Sequence, residues 1–263
     1  MDSAVNGIVL PGLEVVLINL DRSVERRQLM EQRLREIGLA YRRLSAVDGQ
    51  ARWAEISPQL DTQAFQRNVG RDVLRGEVGC YFSHLQAWQQ LLESSADTLL
   101  VLEDDVVFGQ DFMGALELAL AHRGDWDVLK LNKIRAKQPV RQRRLGGYSL
   151  NAYIGTATGM GAYLIQRHTV QQLLPVMLPI RRPIDHELDR VHVLDYRLFG
   201  LEPFPSDVRD NRQSTITGSD FSAVRKYPWY RRLPVYGQRV ATLFGRLFYL
   251  ARKGRLFAPL IRR

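Results

Sequence analysis

The sequence predicts an α/β fold, with a mixed, largely parallel sheet flanked by helices. Over the first 131 residues, short apolar runs alternate with helical periodicity in the order β-α-β-loop-α-β-α-β. Strands separated by helices return in one direction and pair in parallel. The run Leu99–Leu102 is wholly apolar, as a buried strand requires, and it ends in Glu103, Asp104 and Asp105. Sheets of this kind bind ligands beyond the carboxyl ends of their strands.

The elements follow in order. "EVVLINL" (14–20) is a strand, and the next segment sets Met30, Leu34 and Ile37 on one helical face before Gly38. "AYRRLSAV" (40–47) is a second strand that runs into "DGQ". Residues 50–75 are polar and read as loop with short helical pieces. "GEVGCYFSHLQAWQQLLESS" (76–95) is a helix with Tyr81, Leu85, Trp88 and Leu92 on its apolar face. The carboxylate-tipped strand, a helix over 111–122 and the strand "WDVLKL" complete this half. In the second half, "KIRAKQPVRQRRLGG" (133–147) reads as a basic loop. "YSLNAYIGTATGMGAYLI" (148–165) alternates like a strand, with Gly155, Gly159 and Gly161 permitting close backbone approach. A helix is expected over 167–175. A further helix should open at Pro183 and Asp185 and close on Gly200. No internal repeat is visible, and no linker precedes residue 221, which divides the chain into a domain of 1–221 and a tail of 222–263.

Composition is that of a globular protein, with 45% hydrophobic and 25% charged residues. A single cysteine, Cys80, excludes an internal disulfide and suits a reducing compartment. The first apolar stretch has no Lys or Arg before it, so no secretory signal is expected. No uncharged run reaches the roughly 20 residues of a membrane span. The formal charge of +9 is unevenly placed: eleven cations and no anion fall in 222–263, while the body is near neutral. In that tail Val240, Leu243, Phe244, Leu247 and Leu250 follow helical spacing, with Arg239, Arg246 and Arg252 on the flanks and Trp229 and Tyr230 just before. A basic amphipathic helix of this kind predicts an anionic membrane surface as partner. Packing on the body is the alternative. Nucleic acid is not expected, because no recognised module accompanies the charge.

Three adjacent carboxylates repel one another, and buried charge is costly unless paired or bound to a cation. Carboxylate oxygens are hard ligands for Mn²⁺ or Mg²⁺, ions that share their coordination with substrate phosphates. A solvated acidic turn explains the tripeptide equally well when it is considered alone.

Its company separates the two readings. "VVLINLDRSVERR", "SAVDG", "GEVGCYFSHLQAW" and "LLVLEDDVVF" occur in that order. Together they resemble glycosyltransferase family 25, the lipopolysaccharide and lipooligosaccharide galactosyltransferase-type enzymes related to collagen galactosyltransferases. The resemblance is strong over 13–131, looser over 150–216, and absent from the tail. It implies a GT-A-like, Rossmann-type domain whose acidic motif holds Mn²⁺ or Mg²⁺ against a UDP diphosphate. Asp105 would ligate the metal, with Glu103 or Asp104 contacting the ribose or the metal shell. Asn19, Asp21 and Arg22 fall in the implied nucleotide pocket, and Arg26 and Arg27 could meet phosphate or uracil. Asp48 would bond ribose or base, unless it only forms its Asp-Gly turn. Ser83 and His84 fit a pocket near the diphosphate or donor sugar, and a buried core histidine is the competing role for His84. Glu77 suits a helix start.

The implied reaction is inverting transfer of a hexose, galactose first, from a UDP-sugar to a cell-surface glycan such as lipooligosaccharide. It needs a base for the acceptor hydroxyl. Asp185 in "RRPIDHELD" is the candidate, Glu187 the second and His186 a weaker third, although an acid there also suits a helix N-terminus. Asp207, Asp210 and Gln213 compete for a late metal ligand. The expected setting is cytoplasmic, peripheral on the inner face of the cytoplasmic membrane. Two rivals stand beside this reading. One is a metal-dependent phosphotransferase, weakened by the lack of a P-loop. The other is a degenerate, membrane-tethered scaffold.

Overall fold

A computed structural model of the chain describes residues 7–208 and 224–256. β1 (Leu13–Asn19) leads to α1 (Val24–Glu36), which buries Met30 and Leu34 completely, as their spacing predicts. Gly38, at φ +69°, turns the chain in a conformation that disfavours a Cβ and feeds β2 (Arg42–Ser45). The polar stretch holds α2 (Trp53–Ile56) and α3 (Thr62–Val69), the latter capped by Asp61, which accepts the Ala64 N–H at 2.9 Å. α4 (Arg75–Glu93) buries Tyr81, Leu85 and Trp88. Then come β3 (Thr98–Glu103), β4 (Val106–Phe108), α5 (Phe112–Ala121) and β5 (Val128–Lys130).

Two expectations fail in the second half. Residues 133–147 are not a loop: they form β6 (Arg135–Ala136) and β7 (Pro139–Leu145). Gly146, at φ +55°, and Gly147 make a two-residue hairpin turn into β8 (Tyr148–Tyr153). The arginines that suggested a loop form the solvent face of a sheet-edge strand, where cations discourage edge-to-edge pairing. β9 (Ala157–Thr158), β10 (Ala162–Gln166) and α6 (Arg167–Leu173) follow. The long helix expected over 183–200 is instead α7 (Ile184–Leu188), α8 (Val191–Leu194) and the strand β11 (Leu198–Glu202). Asp195, at φ +52°, stops the helix, and Leu198, Phe199 and Leu201 gain burial in the sheet. β12 (Ser206–Val208) pairs with β4, and α9 (Leu233–Arg252) closes the described chain.

The main sheet runs β2-β1-β3-β10-β5-β11-β8-β7. Six of its eight strands share one direction, and β10 and β8 oppose them. The mixed, mostly parallel α/β architecture is therefore as predicted. β1, β3, β5 and β10 form its buried centre, so Asn19 and Glu103 emerge side by side at neighbouring carboxyl ends.

α9 lies against α3 and α8 and buries Val235, Tyr249 and Leu250. Arg246, expected on a flank of the amphipathic helix, is only 2% exposed and pairs with Asp189. At the same contact the His192 ring faces Gly245. Burial, then the cations Arg246, Arg190 and Arg182, lower the His192 pKa to about 4. A histidine held neutral by folding contributes stability above its unfolded pKa, about 6.5, and that contribution is lost as pH falls through 4. The slope should stay below about 1.4 kcal/mol per pH unit, because the ring is only partly shielded from solvent. His192→Gln should therefore flatten the fall in melting temperature between pH 6.5 and 4. Parallel curves for the two proteins would refute this.

Candidate active site

The acidic tripeptide is the turn between β3 and β4, and neighbouring elements converge on it. From the end of β1, Asn19 Nδ2 donates to Asp104 Oδ2 at 2.7 Å. From the first turn of α1, Arg26 places Nε 3.2 Å from Asp104 Oδ1 and a terminal nitrogen 3.0 Å from Asp105 Oδ2. Further along α1, Arg33 donates to the Val106 carbonyl at 2.6 Å, fixing the helix beside the turn. Asp104 is thus committed on both oxygens. Asp105 Oδ1 is buried without a hydrogen-bond partner among the described residues. Burial, followed by the charge of Glu103, pushes the Asp105 carboxyl up to about 7, and burial raises Asp104 as well. One guanidinium does not neutralise three carboxylates. Asp105 and Glu103 are the residues of this turn that could hold a hard divalent cation.

Glu103 is held from behind. Trp88 Nε1 can only donate, so the Tyr163 hydroxyl oxygen accepts from it at 2.9 Å. The same hydroxyl lies 3.0 Å from His84 Nδ1, and the other ring nitrogen, Nε2, lies 3.1 Å from Glu103 Oε1, so His84 links Tyr163 to the carboxylate. His84 is fully buried, so its contact with the site runs through Glu103. Cys80 Sγ lies 4.0 Å from the same oxygen. Ser83 is also fully buried: its Oγ donates to the Gly79 carbonyl at 2.9 Å and accepts the Val47 N–H at 2.8 Å. It holds the Asp48 loop to α4. Gly79 and Gly49 are required by that contact, since a Cβ on either would collide with a backbone carbonyl of the other segment.

Asp48 does two jobs. Its Oδ1 accepts the Gln50 and Ala51 N–H groups at 2.9 and 3.3 Å, and its other oxygen pairs with Arg22. Asp21 bonds Arg43, which lowers its pKa, and the Ser45 hydroxyl at 2.7 Å. Arg27 pairs with Glu31 at 3.7 Å on the flank of α1. Glu77 is buried against Arg71 at the start of α4.

Across the site, Asp185 sits in the first turn of α7, with Oδ2 3.4 Å from the Gly159 N–H. Burial first, then the charges of Glu103, Asp185, Glu77 and Asp105, raise the Cys80 thiol, so these carboxylates share one electrostatic neighbourhood. No cation pairs with Asp185 among the described residues. Glu187 is buried and neutralised by Arg190 and by Arg182, the latter at 3.0 Å. His186 is exposed. Asp207 lies opposite Val107 in β12 and lines a cleft of about 470 Å³ with Phe108, Lys133, Glu202 and Phe204. Asp210 and Gln213 lie outside the described residues.

Sequence reasoning missed Tyr163, Lys130 and Asn132. Lys130 is completely buried, which lowers its pKa, and Nζ donates to the Gly159 carbonyl at 2.6 Å beside the Asp185 contact. Asn132 accepts the Ala162 N–H at 3.0 Å and keeps a buried, unpartnered Nδ2. The signal for Lys130 was a lysine inside the apolar run "WDVLKL".

Fold and site together define an α/β protein with an anionic centre at the carboxyl ends of its strands. The family described as "Glycosyltransferase family 25 (LPS biosynthesis protein)" matches residues 13–188, and the chain belongs to that family. It is 30% identical over 194 residues to the human "Inactive glycosyltransferase 25 family member 3", covering 66% of this chain and 31% of that protein. It is 26% identical over 213 residues to "Procollagen galactosyltransferase 1" of Danio rerio, covering 72% and 35%. The chain thus spans about a third of the length of these curated relatives. A solved structure, A197 from STIV, aligns with a TM-score of 0.41 at 16% identity, covering 72% of this chain and 80% of that one.

Proposed function

We propose that the protein transfers a hexose, galactose foremost, from a UDP-sugar to a glycan acceptor such as lipooligosaccharide, with inversion. The observation that carries this reading is Asp105 Oδ1, without a hydrogen-bond partner among the described residues, beside Glu103 in an anionic site that also holds Asp185, a carboxylate that no cation pairs among those residues. Asp105 and Glu103 would hold Mn²⁺ or Mg²⁺, which when bound supplies positive charge to the departing diphosphate. Asp185 takes the proton of the acceptor hydroxyl as that oxygen bonds to the anomeric carbon. The bond from that carbon to UDP breaks with its electron pair on the diphosphate. Asp21, Arg22 and Asp48 supply hydrogen-bonding groups on the nucleotide side, while the buried Asn19, already bonded to Ser23, Arg43 and Asp104, holds the acidic turn in place. Phe108, Phe204, Glu202 and Asp207 give the adjoining cleft the mix of aromatic faces and carboxylates that suits an acceptor sugar.

A second reading has its own observation. Arg26 already bridges Asp104 and Asp105, and an internal cation in that place would suit a non-catalytic binding protein. Calorimetry of UDP with and without Mn²⁺ separates the two. Binding that needs Mn²⁺ is the expected result. A protein indifferent to both UDP and Mn²⁺ would overturn the transferase reading in favour of the scaffold.

A further inference from the structure

We infer that the outward face of α9 docks on an anionic lipid bilayer, as a platform fixed to the catalytic body. The inference stands apart from the transfer chemistry and rests on which face of the helix is used by the fold. Val235, Arg246, Tyr249 and Leu250 point inward, and Gln238 Nε2 donates to Asn68 Oδ1 at 2.6 Å. On the opposite face, Leu233, Tyr236, Val240, Phe244 and Phe248 recur every three or four residues and are exposed. Of the fifteen large hydrophobic side chains exposed among the described residues, eight lie within residues 229–248. A patch so concentrated marks an interaction surface rather than ordinary scatter.

Charge identifies the partner. Residues 222–263 carry eleven cations and no anion, and Arg231, Arg239 and Arg252 are exposed around the stripe, whereas Lys253 pairs with Asp195 of the body at 2.8 Å. The Arg231 guanidinium lies 4.5 Å from the Tyr227 ring centre, and that of Arg239 5.9 Å from Tyr236. Aromatic bodies with cationic rims match the boundary between acyl chains and headgroups. A second copy presenting the same cations would be repelled, and no recognised nucleic-acid-binding module accompanies the charge. No helix among the described residues is long and apolar enough to cross a membrane, so α9 would lie in the interface plane. Because Arg246 and Tyr249 bind it to the body, docking sets the orientation of the whole site above the bilayer.

The test is co-sedimentation of the full chain with phosphatidylglycerol-rich or pure phosphatidylcholine vesicles, at low and high salt. The expected result is binding to the anionic vesicles, weakened by salt and about tenfold weaker on phosphatidylcholine. Phe244→Asp combined with Phe248→Asp should weaken binding about tenfold or more at an unchanged melting temperature, since both side chains are exposed. Equal vesicle binding by this variant and wild type would overturn the inference. So would a wild type that ignores anionic vesicles but dimerises, or binds nucleic acid, through the same two phenylalanines.

Discussion

Asp105→Ala is expected to lose metal-dependent UDP binding by about a hundredfold or more, a loss at least as large as that seen when the supports of metal ligands are removed. The same variant should be no less stable than wild type without ligand. Asp105 is half-buried beside Glu103 and Asp104, with Oδ1 shielded from solvent, and its raised pKa records the cost of keeping that charge there. Deleting it relieves repulsion and ends the need to satisfy Oδ1, although Arg26 loses its contact with Asp105 while keeping that with Asp104. A residue that weakens the free fold but strengthens the liganded state is held by function. Melting curves with and without UDP and Mn²⁺ provide the check. A variant destabilised by several kcal/mol without ligand would make Asp105 a structural ion-pair partner instead. Asp185→Asn should behave differently: UDP binding persists, while turnover falls roughly 10²–10⁴-fold, the range for loss of a general base. Turnover within a few-fold of wild type would remove Asp185 from that role.

The parts of this molecule legible in the sequence are those whose information is local. β1, α1, α4 and β3 each carry their own periodicity, and Glu103–Asp105 stand out because charge interrupts an apolar strand. The second half hides its structure. The outward arginines of β7 mask its alternation, so an edge strand looks like a loop. Leu188, Val191, Leu194 and Leu198 keep helical spacing across a break that only the left-handed Asp195 and the burial of β11 in the sheet reveal. Within the site, single residues could be nominated but partnerships could not. That His84 reaches Glu103 and Tyr163 depends on α4 crossing β3 and β10. The contrast between Asp185 and Glu187 depends on Arg182 and Arg190 turning to one of them. These contacts join positions far apart in the chain, and no local pattern encodes them.

Arg246 presents the sharpest case, and Arg246→Met should destabilise the protein by about 3–5 kcal/mol, the cost of breaking a buried ion pair from one side. That is a large share of a typical total stability of about 5–15 kcal/mol. Arg246 pairs with the Asp189 carboxylate and also donates to the Asp189 and Gly155 carbonyls. Asp189 in turn accepts the Ala157 N–H at 3.0 Å. One arginine of α9 therefore clamps both the segment that follows Asp185 and the loop leading to Gly159. Without it, Asp189 is left charged and buried. Adding Asp189→Asn should restore part of the loss, because an amide oxygen can still accept from Ala157 and no stranded charge remains. The exposed Arg239 provides the control, since its replacement by Met should change stability by no more than about 0.5 kcal/mol. Urea denaturation of the four proteins measures all of this, and equal effects at 239 and 246 would contradict the buried clamp. If the double variant recovers stability but not turnover, Arg246 also positions Asp185. The helix that charge alone marks as a tail would then serve the reacting end of the sheet.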